Sequence, residues 1–187
     1  MKSRSLLRGA LLATALFAAR AGVAADLAVT LGDGPSDDVM SAVHPAIGAV
    51  GLDGGQVRYV SVITGTPQDT VSFALPLPAC VSLPRVMMSS PVTVMPAGTP
   101  AHVTLEAGAI RVDGIVLPAS GSVLIEVSQL TIGGNEAQSC CTRATVTDGS
   151  GHSVRSVPTD EAAGTACGSG HVGFFIHDPS APAPAAE

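Results

Sequence analysis

Short segments of this chain alternate apolar with polar positions, and turn-forming residues separate the segments. In 56–64, Val57, Tyr59, Ser61 and Ile63 fall on one face of an extended chain, because successive side chains of a strand point to opposite sides. The segment is rich in β-branched residues, which favour a strand over a helix at this length. It is the clearest strand that the sequence predicts.

The same criteria predict further strands. Stretches rich in glycine, serine and proline separate them, and Pro76 and Pro78 end one of them because proline cannot donate to a strand ladder. The stretch 37–49 is the part of the sequence considered for a helical turn. The predicted strands are 27–31, 56–64, 70–75, 92–94, 102–105, 109–112, 122–130 and 140–147, with an edge strand at 153–157 and a short apolar run at 172–176.

Composition agrees with an all-β chain. The sequence contains 21 glycines and 14 prolines, and aromatic residues make up only 3% of it. The core must therefore be built from valine, isoleucine and leucine, each of which contributes about 1.5–3 kcal/mol when fully buried. The length is that of one domain. We predict an all-β fold, a single and mostly antiparallel β-sandwich of about seven to nine short strands.

The first 25 residues have the layout of a secretory signal peptide. Lys2, Arg4 and Arg8 precede an apolar run over 9–19, and small residues lead to Ala25, after which we expect cleavage. The apolar run is too short to span a bilayer, which takes about 20 residues. The expected product has no membrane span and is secreted, periplasmic or displayed at the cell surface.

Removal of the predicted leader leaves five arginines, no lysine and all 15 acidic residues, a formal charge of −10. Nucleic-acid binding usually needs a basic patch and aromatic platforms, and this acidic chain has a single tyrosine. Charge disfavours anionic lipid for the same reason. We therefore expect neither nucleic acid nor a lipid surface as a partner.

Four short motifs occur in the order of a known family. They are 25–30 (ADLAVT), 55–62 (GQVRYVSV), 117–123 (LPASGSV) and 144–147 (ATVT). The sequence resembles the bacterial conserved-repeat domain of unknown function, an Ig-like β-sandwich of secreted and cell-surface proteins. The resemblance covers Asp26 to Ser150, although 64–67 (TGTP) replaces the family's Asn-Thr-Gly-type segment. It implies a structural or adhesive extracellular module and supplies no catalytic residues.

The expected domain organisation follows from the leader, the resemblance and the C-terminal composition. Residues 1–25 form the signal peptide and 26–150 the Ig-like β-sandwich domain. The insertion at 33–54 and the residues after Gly151 have no counterpart in the family pattern. We expect 151–178 to be an extension that packs on or near the sandwich, and 179–187 to be a disordered tail of proline and alanine.

The cysteines of the mature chain are Cys80, Cys140, Cys141 and Cys167. In an exported protein an even number usually means disulfides, and four cysteines allow three connectivities. Adjacent residues of one strand point to opposite faces. The favoured pairing therefore joins Cys80 to one of the two adjacent cysteines and Cys167 to the other. A bond between Cys140 and Cys141, and a metal site that adds His171 or His177, are the alternatives.

Two further clusters suggest chemistry. Ser169 and His171, in the segment GSGH at 168–171, are the nearest approach to a nucleophile and base, although they lie outside a Gly-x-Ser-x-Gly elbow. Asp33, Asp37, Asp38 and Asp53 offer oxygen ligands for calcium, but their spacing is not that of an EF-hand. A small hydrolase and a calcium-stabilised surface domain are therefore alternative functions.

The leading interpretation is a non-enzymatic Ig-like module that acts at the cell envelope or outside the cell. We assign it no catalytic residues, no cofactor and no metal ligands. Its role is structural, adhesive or protein-binding. Because exposed sheet edges carry unpaired backbone groups, a protein partner is expected to add a strand at one of them.

Overall fold

The computed structural model describes residues 26–35, 56–84, 87, 89–133, 138–159, 167 and 170–176. Every regular element in these ranges is a strand, so the predicted all-β class is confirmed. The stretch 37–49, considered for a helical turn, lies outside the described residues. The strands are β1 (Ala28–Pro35), β2 (Gln56–Thr64), β3 (Thr70–Pro76), β4 (Val81–Ser82), β5 (Val92–Met95), β6 (His102–Glu106), β7 (Ala109–Val116), β8 (Ser122–Ile132), β9 (Gln138–Thr142), β10 (Thr145–Asp148), β11 (Ser153–Arg155), β12 (Val157–Pro158) and β13 (Val172–Ile176).

The strands form a sandwich of two sheets with a small ribbon beside it. The first sheet has the order β12-β1-β2-β8-β4, and β5 also pairs with β8. The second sheet has the order β11-β10-β3-β7-β6, and β9 pairs with β13 in the ribbon. Within the described ranges β12 pairs with β1 in parallel and all other neighbours are antiparallel. The predicted mostly antiparallel β-sandwich is thus confirmed.

The core is filled by the inward faces of both sheets. In β2 the predicted face is the buried one, with Val57, Tyr59, Ser61 and Ile63 nearly inaccessible. Aliphatic side chains supply most of the rest, as the composition requires. Phe73 of the second sheet is among the few aromatic members. The large fully buried side chains are Tyr59, Phe73, Leu31, Ile63, Leu75, Ile110, Ile115, Leu117, Ile125 and Leu130.

A bulge in each sheet shifts the alternation of buried residues by one position. In β8, Val127 and Leu130 are both buried, because two residues between them lie opposite Arg58 of β2. In β7, Val112 and Ile115 are both buried for the same reason. An extra residue in one strand resets which side chains face inward. The bulges let the longer strands stay buried on one face although their sequences break strict alternation.

The bounds of several predicted strands differ from those observed. Strands β2 and β13 have the predicted bounds, whereas β7 and β8 continue past their predicted ends. The predicted end of β7, at residue 112, is where its bulge begins. β4 was not predicted. The single strand predicted over 140–147 is wrong: residues 138–142 pair with β13, and residues 145–148 pair with β3 and β11. The predicted edge strand 153–157 is likewise divided between the two sheets.

Ala144 and Ser156 lie where both of these segments change partners. The N–H of Ala144 donates to Oγ of Ser156 at 3.0 Å, and the N–H of Ser156 donates to the Ala144 carbonyl at 2.9 Å. Both residues are fully buried. Because a buried backbone group needs a partner, these bonds let the chain leave one ladder and enter another without an unpaired donor.

Asp148 organises the turn between β10 and β11. Its carboxylate accepts hydrogen bonds from Oγ of Ser150 at 2.6 Å and from the backbone N–H groups of Ser150 and His152 at 2.9 Å. The Ser150 hydroxyl bond, followed by the backbone bonds, lowers the pKa of Asp148 from its usual value of 3.8. The ionised side chain therefore holds the turn closed.

Candidate functional site

Among the described residues, β6 is the longest edge strand of the two main sheets. Among the edge strands of the two main sheets in the described ranges, β6 has five residues, β5 has four, β11 has three and β4 and β12 have two. Prolines bracket β5 and end β12, and proline at an edge hinders strand addition. β6 contains no proline. It is the edge best able to accept another strand.

β6 is held by a tight hairpin with β7. The two strands pair from His102 opposite Asp113 to Glu106 opposite Ala109. At the turn the Gly108 carbonyl accepts the N–H of Leu77, and outside it Glu106 forms an ion pair with Arg111 at 3.3 Å. The ion pair is exposed and contributes little energy. The hairpin nevertheless fixes the direction of β6, so its outer backbone groups are presented in a regular row.

An apolar cleft of about 400 Å³ lies beside β6. Val103 and Leu105 form one wall, since they face the same side as the buried Val112 and Ile110 opposite them. Unlike these partners, they are only partly buried. The other wall is made by Met87 and the segment 89–91. The edge of the core is therefore open at this point.

The chemistry of the cleft is that of a binding surface. Its lining consists of Met87, Ser89, Ser90, Pro91, Val103 and Leu105, without an acid, an imidazole or a thiol. The Ser90 hydroxyl is occupied, since its Oγ lies 3.2 Å from both the N and the O of Val92. Met87 is 42% exposed, which is unusual for a large apolar side chain of this protein. The described lining can therefore bury apolar groups.

The cysteines form two disulfide bonds. Cys80 is joined to Cys140 and Cys141 to Cys167, so the adjacent cysteines take different partners. Cys140 is fully buried and Cys141 is partly exposed, as expected when neighbours on a strand face opposite ways. The first bond ties the ribbon to the chain before β4. The second ties it to residue 167.

The other sequence-predicted residues are spread over the molecule. His171 lies at the start of β13, in a groove that also contains Arg143 and Arg155. Ser169 and His177 lie outside the described residues, as do Asp37, Asp38 and Asp53. Asp33 belongs to β1, where its backbone pairs with that of Tyr59. The hydrolase and calcium alternatives therefore stay predictions.

Neither a metal-binding cluster nor a membrane-spanning helix is found among the described residues. No group of three or more histidine, cysteine or acidic side chains within these ranges could hold a metal ion. No helix in the same ranges is long and apolar enough to cross a membrane.

Comparison with known proteins gives a fold likeness. No protein-family model matches the sequence, and no curated protein matches it. Among solved structures, the RrgA Jo.In complex is 14% identical, with 62% of this chain and 69% of that chain covered and a TM-score of 0.42. A non-cellulosomal cohesin from the archaeon Archaeoglobus fulgidus is 14% identical, with 70% and 86% covered and a TM-score of 0.38. BslA, a bacterial hydrophobin, is 12% identical, with 71% and 96% covered and a TM-score of 0.37.

These similarities are too distant to inform function, and membership of the conserved-repeat family stays a prediction. What the sequence did not reveal is the cleft. Val103 and Leu105 alternate with His102, Thr104 and Glu106, which predicts a strand with one apolar face. Nothing in that alternation says that the face is incompletely covered. This depends on the path of the distant segment that carries Met87.

Proposed function

We propose that this protein is an exported binding module that captures an extended segment of a partner protein at β6. The observation that supports this most is the combination of a free, proline-free edge strand with an apolar cleft at its inner side. An added strand would satisfy its backbone groups on β6 and bury alternate side chains in the cleft.

Backbone pairing supplies the affinity in this mode of binding. Five residues of β6 pair with β7 on one side, and no strand of the described residues pairs with its other side, which we assign to the partner. Pairing of this kind does not depend on the partner's sequence. The hairpin keeps β6 extended before binding, so little ordering entropy has to be offset on the side of this protein.

Side-chain burial supplies the specificity. A cleft of about 400 Å³ lies within the range of about 300–1,000 Å³ that ligand pockets usually have. Because strand residues alternate between faces, a partner with apolar residues at every second position places them all toward Val103 and Leu105. The residues between them face the outer, polar side with Thr104. The partner is therefore an extended segment of alternating apolar and small polar residues.

The proposal assigns the protein no reaction and places it outside the cytoplasm. The apolar and serine side chains of the described lining support a role in recognition. Two disulfides are typical of secreted, periplasmic or cell-surface proteins, because the cytosol keeps thiols reduced. The predicted leader points to the same location. A structural or adhesive role at the envelope follows from such binding.

A random peptide library displayed against the purified, oxidised protein tests the proposal. We expect enrichment of peptides with apolar residues at alternate positions. Met87→Glu places a charge in the cleft and is expected to weaken a selected peptide at least tenfold. The control is Met95→Glu, because Met95 is 39% exposed on the other sheet, against 42% for Met87. N-methylation of alternate peptide groups removes backbone donors and should also abolish binding.

Two results would overturn the proposal. One is a library without enrichment for alternation. The other is equal loss of binding in the Met87 and Met95 variants, which would show that the added charge acts without regard to the cleft.

A further inference from the structure

A second concave surface lies at the other side of the second sheet, where β10 and β11 meet the ribbon. It is a groove of about 370 Å³. Arg143 and Arg155 line it together with His171, and Pro76, Leu77 and Pro78 form an apolar wall. Cys141, Thr142 and Thr145 complete the lining. The groove thus has a cationic side and an apolar side.

Arg143 lies between β9 and β10, and Arg155 lies in β11. Burial alternates along 141–144: Thr142 and Ala144 are buried, whereas Cys141 and Arg143 are partly exposed. The Arg143 side chain therefore points outward. Arg155 pairs in register with Thr145, two residues further along the chain. Continuing the register of Thr142 with Val172 by one step places His171 opposite Arg143. The topology therefore brings three basic residues from three segments to one place.

Arg143 is fixed in position before any ligand binds. Its Nε donates to the Ser156 carbonyl at 3.0 Å. Gly170 lies against the guanidinium, since a Cβ built at this glycine would be 3.0 Å from Cζ of Arg143, and its φ of +80° also favours glycine. The bond through Nε leaves the two terminal nitrogens as donors. A guanidinium held in this way is prepared for a two-pronged contact.

The charge of the groove is not neutralised within the described ranges. Arg58 and Arg111 form ion pairs with Glu126 and Glu106 at 4.0 and 3.3 Å. Neither Arg143 nor Arg155 lies within ion-pair distance of a carboxylate of the described residues, and no acidic side chain lines the groove. Among the described residues, two arginines without an acidic partner therefore lie together in this groove.

We propose that this groove binds an oxyanion, a carboxylate or a phosphate or sulfate group, carried by an apolar substituent. The terminal nitrogens of Arg143 donate to two oxygens of the anion, and Arg155, which also lines the groove, adds a second positive charge. Such bidentate contacts are shorter and stronger than neutral hydrogen bonds. Thr145 offers a further polar group, and the substituent lies against the wall formed by 76–78.

The second disulfide positions one side of this groove. Cys141 lines the groove and is bonded to Cys167, three residues before Gly170. The bond therefore holds the segment that brings Gly170 against Arg143 and His171 to the rim. Oxidation in the exported protein thus preserves the site, whereas reduction is expected to loosen it.

Calorimetric titration at low ionic strength tests the site with four probes, inorganic phosphate, sulfate, acetate and hexanoate. We expect saturable binding of one stoichiometric equivalent of at least one of the four. Phosphate or sulfate binding more tightly than acetate identifies a tetrahedral head group, and the reverse order identifies a carboxylate. Hexanoate binding more tightly than acetate indicates that the apolar wall contributes.

Substitutions distinguish binding in this groove from a general effect of the protein's positive charges. Arg155→Gln changes an exposed side chain, so the fold is retained, and we expect at least tenfold weaker binding. Arg143→Lys keeps the positive charge but removes the two terminal guanidinium nitrogens and the hydrogen bond from Nε to the Ser156 carbonyl. Binding of the anion is expected to weaken to a similar extent. The control Arg111→Gln removes one positive charge from the same sheet outside the groove. Absence of saturable binding by all four probes, or equal weakening by Arg155→Gln and Arg111→Gln, would refute the proposal.

Discussion

Two buried serines provide a test of hydrogen bonding in the core, because the same substitution is expected to have opposite effects. Ser61 of β2 is 1% exposed and Ser156, between β11 and β12, is fully buried. Among the residues that the structure describes, no group hydrogen-bonds to Oγ of Ser61. Oγ of Ser156 accepts the N–H of Ala144 at 3.0 Å. Within the described residues, burial of the Ser61 hydroxyl removes it from water without providing a protein partner. The Ser156 hydroxyl instead accepts the N–H of Ala144.

The magnitudes follow from this difference. Burial of a hydroxyl without a partner costs about 1–3 kcal/mol by protein mutational data, and Ser61→Ala removes this cost. The void left by one oxygen costs a few tenths of a kcal/mol at about 24 cal/mol per Å³ of cavity. We therefore expect Ser61→Ala to raise the free energy of unfolding by about 1 kcal/mol. Ser156→Ala leaves the Ala144 N–H unpaired, and it is expected to lower the free energy by about 1–3 kcal/mol.

Equilibrium unfolding in urea with the disulfides intact measures both effects. The slope of free energy against denaturant is expected to stay constant, so the midpoint alone reports the change. In thermal unfolding, each kcal/mol corresponds to about 2–4 °C for a domain of about 150–250 residues. A stabilising Ser156→Ala, or a Ser61→Ala as destabilising as Ser156→Ala, would refute the reasoning from hydrogen-bond satisfaction.

Three further predictions concern other parts of the fold. Gln129, at the bulge of β8, has a φ of 60°, a conformation that favours glycine. Gln129→Gly is therefore expected to raise the free energy of unfolding by about 0.5–1 kcal/mol, whereas the control Gln56→Gly, at an exposed position of β2, is expected to lower it. A lower free energy of unfolding for both variants in denaturant titrations would contradict the argument from backbone conformation. The lowered folded-state pKa of Asp148 means that its stabilising effect is present above the unfolded value of 3.8 and is lost as the pH falls through the lowered value. Asp148→Asn is therefore expected to reduce the melting temperature at pH 7, with the difference from wild type closing toward pH 2, and a constant difference would count against this. The double change Cys141→Ser and Cys167→Ser removes a disulfide between residues 26 positions apart. It is expected to lower the free energy of unfolding by about 3.5 kcal/mol, because the unfolded chain gains loop entropy. An unchanged urea midpoint would disprove this.

How far the sequence determines the fold is clearest in β2 and β8. The regular alternation of β2 was sufficient to predict its bounds and its buried face. In β8 the alternation ends at Val127 and resumes at Leu130. The predicted strand 122–130 extended past this break and ended two residues before the observed end at Ile132, but the sequence did not identify the break as a bulge. A bulge is defined by the pairing of two strands: here two residues of β8 lie opposite the single residue Arg58 of β2. The sequence of β8 alone does not contain this pairing.

The segment 140–147 shows a different limit. It has the β-type composition expected of one strand, yet Arg143 and Ala144 separate two strands with different partners. The cause lies about 12 residues away, in Ser156, which supplies both its hydroxyl and its backbone to this point. The pattern of residues within 140–147 cannot predict a contact with a residue about 12 positions away. For the same reason the groove beside Arg143 was not predicted, although His171 had been singled out for another chemistry.

The two proposed sites are separable, and this makes their tests independent. From β10, beside the groove, to β6, beside the cleft, there are three strand spacings, about 14 Å at the usual separation of strands. The sites also use different faces of the sheet, because Arg143 and Arg155 point outward while Val103 and Leu105 point toward the core. Charges at this distance are largely screened at physiological ionic strength, where the Debye length is about 8 Å. When both activities are measured at physiological ionic strength, Arg155→Gln is therefore expected to leave peptide capture at β6 unchanged, and Met87→Glu to leave oxyanion binding unchanged. If either variant impaired both activities, the two ligands would have to share one surface, and the division of the sheet into two recognition sites would be wrong.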